Sequence, residues 1–158
     1  MEPLARRLLA EWRANARRWE AAARRWAPKG VQVFNPGLYA AGLYAEFLRR
    51  YPPAPSPVVA LGLNPGPFGM AQTGIPFTDC RTARTLLGID LPLPGRAPPA
   101  LARRLKREDG SWRGTYERSS LGIYRALELA WGDYRTAYRN WVVLNPCSNR
   151  DLSARIFS

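Results

Sequence analysis

Two asparagines stand where an apolar run gives way to a proline turn: Asn64 in Gly62-Leu-Asn-Pro-Gly66 and Asn145 in Trp141-Val-Val-Leu-Asn-Pro146. A carboxamide donates and accepts hydrogen bonds at once, so at the mouth of a sheet it can orient a water or read the edge of a flat polar ligand. Open α/β sheets place their ligand sites at the carboxyl ends of their strands. Between Asn64 and Phe77 lie three glycines and three prolines. Glycine lets a ligand approach the backbone closely and proline fixes φ, so this loop is built to hold one shape. Taken singly, an Asn-Pro pair is an ordinary turn former and Phe77 an ordinary core residue. Any chemistry rests on the whole string.

The elements that must position these residues can be read from pattern. Val58-Val-Ala-Leu-Gly-Leu63 reads as a strand buried on both faces, and Trp141 to Leu144 as a second strand. Glu2 to Trp26 reads as a helix with a stripe of Leu8, Trp12, Ala16, Trp19, Ala23 and Trp26, docked by its tryptophans with its arginines in solvent, and ended by Pro28 and Gly30. A second helix is expected from Leu38 to Arg50, followed by the stiff linker Pro52 to Pro57. After the loop, Thr78 or Asp79 can cap a short helix that ends at Gly88. Leu91 to Pro99 reads as loop, with a helical turn at Ala100 to Lys106 inside an irregular charged stretch that runs on to Arg118. Ser119 or Ser120 then caps a helix with Leu121, Tyr124, Leu127 and Trp131 on one face, closed by Gly132. Strand, helix and strand in this order imply a parallel sheet in an α/β domain.

Composition narrows the function classes. The 158 residues suit one domain. There are 24 basic and 12 acidic residues, a formal net charge of +12, with only two lysines among the basic ones. Such a balance points to a polyanion partner, nucleic acid first. No stretch approaches the roughly 20 apolar residues of a membrane span, and the Arg-rich start lacks the apolar core of a signal peptide. With no histidine and two cysteines, Cys80 and Cys147, metal catalysis and His-based triads are poorly supported, and no cofactor is expected. The loop also lacks the lysine and glycine spacing of a nucleotide phosphate loop.

The string Asn64-Pro-Gly-Pro-Phe-Gly-Met-Ala-Gln-Thr-Gly-Ile-Pro-Phe77 closely resembles the signature loop of the single-strand-selective monofunctional uracil-DNA glycosylases, a branch of the uracil-DNA glycosylase superfamily. Val33-Phe-Asn-Pro36 with Tyr39-Ala40 is similar to the Tyr-Asn-Pro segment upstream in that family, and Leu87-Gly-Ile89 to its Leu-Gly-Ile. Trp141 to Asn145 with Cys147 is similar to the strand carrying its base-reading asparagine. The resemblance covers roughly residues 31 to 147. It implies a three-layer α/β/α sandwich with a mainly parallel central sheet, incomplete at its C-terminal end. The chain then divides into an N-terminal amphipathic helix packed on the domain (1–30), a partial glycosylase-like domain (31–147) and a divergent tail (148–158).

The resemblance further implies excision of uracil and related modified pyrimidines from DNA by hydrolysis of the N-glycosidic bond, the first step of base excision repair. Asn64 then positions the water, Phe77 stacks on the extruded base, Leu63 and Met70 line the pocket through backbone, Gly66 leaves room beside the base, and Asn145 reads the uracil edge. The implied partner is uracil-containing DNA, single- or double-stranded, engaged by a monomer with no membrane and no metal. Its place is the cytoplasm or nucleoid of a bacterial cell, or the nucleus of a eukaryotic one. The family's late His-Pro-Ser loop has no counterpart in Ser148 to Ser158, so the alternative is a catalytically inactive, truncated DNA-binding remnant left by a shifted or prematurely ended reading frame.

Overall fold

The computed structural model describes residues 2–30, 33–55, 57–62, 66, 68–90 and 117–144. Helix α1 runs over Pro3–Trp26, with a proline in its first turn where a missing N–H costs nothing. Its buried face is Ala5, Leu9, Trp12 and Ala16, and the Trp12 ring packs on Tyr44 with centroids 4.6 Å apart. The expected tryptophan stripe holds only in part, since Trp19 is half-buried and Trp26 is 75% exposed. Positions seven apart rotate by about 20° per repeat on a straight helix. Trp12, Trp19 and Trp26 therefore turn progressively off the face that docks.

The single helix expected over Leu38 to Arg50 is instead two, α2 at Pro36–Tyr39 and α3 at Ala41–Arg50, with the break at Ala40. Asn35 is the reason for the earlier start. Its side-chain oxygen accepts from Gly37 N at 3.0 Å, capping α2, while its Nδ2 donates to Ala16 O at 2.6 Å and pins α2 on α1. A Cβ on Gly37 would come within 2.9 Å of both Ala16 Cβ and Trp12 Nε1, so the close crossing needs glycine.

Strand β1 spans Val58–Leu61 and, at the far end of the chain, β2 spans Trp141–Leu144. They pair in parallel, Val58 opposite Trp141 and Leu61 opposite Leu144, and make a two-stranded sheet among the described residues. The chain is thus α/β, with a parallel sheet and mostly helices. The expectation that β1 is buried on both faces is wrong: Val58 and Leu61 are each 67% exposed, and Val59 is also exposed. Val58 lies on one face and Val59 and Leu61 on the other, so among the described residues neither face of β1 is fully covered. On β2, Val142 and Val143 are buried.

Between the strands come α4 at Met70–Thr73, α5 at Cys80–Thr85, α6 at Arg118–Trp131 and α7 at Tyr134–Asn140. Asp79 caps α5 by accepting from Thr82 N at 2.8 Å, as the sequence allows. Neither Ser119 nor Ser120 caps α6, where Glu117 holds the cap position with no side-chain bond of its own. Ser120 is buried instead, its hydroxyl donating to Thr82 Oγ1 at 3.0 Å. Of the face expected on α6, Tyr124 and Leu127 are buried and Trp131 packs at the core edge, while Leu121 points outward. Gly132 at φ +77° closes it. Helix α7, which the pattern did not suggest, begins where Asp133 accepts from Thr136 N at 2.9 Å. The core runs between the elements through Tyr44, Phe47, Ile75, Ile89, Leu127 and Val143. The loop expected at 91–99, the turn at 100–106 and the tail at 148–158 lie outside the described residues.

Candidate active site

The parallel register makes Leu61 and Leu144 partners, and Gly62 N continues the ladder to Leu144 O at 2.8 Å, so the polypeptide leaves both strands at the same end of the sheet. Asn64 and Leu63 follow one strand in sequence and Asn145 the other. Those three residues lie outside the described part, so the structure does not place their side chains. Gly66, Met70 and Phe77 are described, and all belong to the loop that follows β1.

The loop closes on itself at once. Gly66 O accepts from Gly69 N at 3.3 Å and from Ala71 N at 3.0 Å, and Gly69 O accepts from Gln72 N and Thr73 N, which winds residues 70–73 into the single turn α4. Met70 turns its side chain into the core at 1% exposure. Tyr39 donates its hydroxyl to Ala71 O, tying the turn to α2. Gly74 ends the turn at φ +70°, and a Cβ there would meet Ala40 Cβ at 2.8 Å. Conformation and space both demand glycine.

Phe77 is the exceptional residue, at φ +52° and so the one non-glycine in the left-handed region among those described. A bulky residue held there costs about 1–3 kcal/mol and persists only where its surroundings over-determine it. They do so here. Thr73 Oγ1 accepts from Ile75 N at 3.0 Å and donates to Thr78 O at 2.8 Å, and Thr78 N donates to Ile75 O at 3.2 Å. Thr78 Oγ1 bonds Pro76 O at 2.9 Å and lies 2.8 Å from Tyr124 Oη, which also receives the Tyr138 hydroxyl at 2.8 Å. Burial pushes the Tyr124 and Tyr138 phenols well above the ordinary tyrosine range, keeping this chain of hydroxyls neutral. Phe77 is left partly buried, packed against the core edge.

The far side of the loop is met by the start of α6. Asp79, fully buried, accepts from Glu117 N at 3.0 Å as well as from Thr82 N. Burial, then the neighbouring Asp79 carboxylate, raises the pKa of Glu117 above the usual glutamate range. Sequence reasoning missed Glu117, Ser120 and Tyr124 as partners of the loop. Glu117 sits in a charged stretch with no period, and the other two read as a cap and a packing residue. Cys80 is buried, as free cysteines commonly are, with its thiol 3.1 Å from Gln72 Oε1. Among the described residues no group of His, Cys, Asp or Glu is arranged to hold a metal ion.

No family model matches the chain. Curated proteins do. The single-strand selective monofunctional uracil DNA glycosylase of Bos taurus is 46% identical over 67 residues, 42% of this chain and 24% of its own length. The rat (Rattus norvegicus) protein of the same name is 43% identical over 94 residues, 56% of this chain and 33% of its own. Over these stretches the chain is similar to the single-strand-selective monofunctional uracil-DNA glycosylases. It spans about a quarter to a third of the length of these curated relatives. In three dimensions it is similar to wild-type SMUG2 of Pedobacter heparinus, with a TM-score of 0.52 and 26% identity over 77% of this chain and 45% of that one.

Proposed function

We propose that this chain carries the base-capturing part of a monofunctional uracil-DNA glycosylase acting in base excision repair. The observation that supports this most is Phe77. An aromatic ring is held at a strained left-handed position, partly buried, by bonds on both sides of it. Strain of that kind gathers at functional sites, and a ring so fixed offers a stacking face to an extruded base, worth about 1–3 kcal/mol.

Excision breaks the C1′–N1 bond through a transition state with positive charge on the sugar and negative charge on the departing base. In this reading Asn64 holds a water beneath C1′, orienting it rather than deprotonating it, because an amide is a poor base. Asn145 donates to and accepts from the uracil edge. Loop backbone at Leu63, Gly66 and Met70 lines the pocket, and amide N–H groups there stabilise the uracil oxygens as they gain charge. No metal or cofactor takes part. The surrounding domain is the three-layer α/β/α sandwich of the family, and the substrate is uracil-containing DNA, single- or double-stranded, bound by a monomer. The excess of arginine over acidic residues draws that polyanion. Such an activity belongs where the DNA is, in the bacterial cytoplasm or nucleoid or the eukaryotic nucleus.

The test is single-turnover release of uracil from a single-stranded oligonucleotide by the purified chain and by Asn64→Ala. The wild-type chain is expected to release uracil and the variant to be slower by about 10²-fold or more. Salt-sensitive DNA binding with no release by either would instead support a DNA-binding role without turnover.

A further inference from the structure

The Glu117 carboxyl lies directly against the backbone of the loop. A Cβ built on Gly66 would overlap its Oε1 outright and approach Cδ to 2.9 Å, and one built on Gly69 would overlap Oε2 and approach Cδ to 2.8 Å. A single carboxyl group thus sits astride two glycines on the turn that Gly66 O closes. Its own main chain is fixed, with N–H donated to Asp79 Oδ2 at 3.0 Å. Asp79 follows Phe77 by two residues and caps α5 with its other oxygen. Helix capping does not account for the side chain, because at the head of α6 it makes no capping bond. It is directed at the loop and not at its own helix.

We propose that Glu117 is a positioning residue for the base site, its carboxyl the wedge that sets how Gly66 and Gly69 lie and, through Asp79, links that turn to the segment presenting Phe77. Glycines have the largest backbone freedom to lose, and a carboxyl standing where their side chains would be limits how this hydrogen-bonded turn can shift. Displacing a binding constellation by about 1 Å can cost about 10²-fold in rate. The catalytic half of this inference rests on reading the loop as a uracil site. The wedge itself is a packing relation, measurable without substrate.

The experiment compares Gly69→Ala, Glu117→Ala, the double variant and Glu117→Gln in the full chain. It reads the thermal midpoint, the single-turnover uracil-release plateau and the affinity for uracil-free single-stranded DNA. Gly69→Ala is expected to lower Tm by about 2 °C or more, because its methyl must push the half-buried Glu117 carboxyl off the turn. In the Glu117→Ala background the same change should cost less than about half as much, since the space has been vacated. Glu117→Ala alone should lower the release plateau by about tenfold while DNA affinity stays within about twofold, and the same-shaped Glu117→Gln should recover it to within about threefold. Additive Tm losses would overturn the wedge. Coupled Tm losses with an unchanged plateau in Glu117→Ala would overturn the positioning role. Absence of release by the wild-type chain would sink the uracil-site reading, while the Tm coupling would still decide the wedge.

Discussion

The segment from Gly69 to Asp79 and the strand β1 just before it are held by opposite means. In the first, nearly every residue is buried and the bends are fixed by side-chain hydroxyls and a carboxylate bonded to backbone, with α6 as the anvil. In the second, four residues pair with β2 along one edge and show Val58, Val59 and Leu61 to solvent. Specific bonds make the loop insensitive to whatever covers the sheet. The strand has only its ladder and Ala60, which packs on the core. Shape at the site is therefore set locally, whereas the sheet leans on its surroundings.

The loop is most vulnerable at Tyr124, which is fully buried and joins Thr78 to Tyr138. Tyr124→Ala should destabilise the chain by about 3–5 kcal/mol, the range for removing a large buried ring, read as a fall in the denaturant midpoint. Tyr124→Phe keeps the ring but leaves two buried hydroxyls short of a partner, so a loss of about 1–3 kcal/mol is expected. A loss below about 0.5 kcal/mol would show that the hydroxyl chain does not hold the loop. At the other pole, Val59→Thr on the exposed face should change stability by less than about 0.5 kcal/mol. The same change should reduce self-association in sedimentation at high concentration, because an exposed apolar strand is a site of edge-to-edge pairing.

Much of this contrast was legible in the residues, and the gaps have physical causes. The two strands, the Asp79 cap and the loop between them follow from β-branched runs, capping chemistry and glycine-proline density. The exposure of β1 did not follow, because an apolar run encodes a wish for burial and not the layer that supplies it. Likewise, Asn35-Pro36 reads as a turn in isolation, and only the reach of its Nδ2 to Ala16 O shows why α2 starts there. Phe77 was singled out by resemblance alone, since no pattern in one sequence reports a positive φ at an aromatic residue. Glu117 could not be found at all, because its role depends on what faces two glycines some fifty residues earlier in the chain.

In the proposed function the loop separates two tasks, with Asn64 placing water and Phe77 capturing the base. Single-turnover uracil release as a function of enzyme concentration, for Asn64→Ala and Phe77→Ala beside the wild-type chain, tests it most directly. Asn64→Ala is expected to lower the plateau rate while half-saturation stays put, and Phe77→Ala to shift half-saturation upward by about 5- to 100-fold, with the plateau largely recovered at saturating enzyme. Equal loss of the plateau in both variants, with no shift in half-saturation for Phe77→Ala, would contradict it.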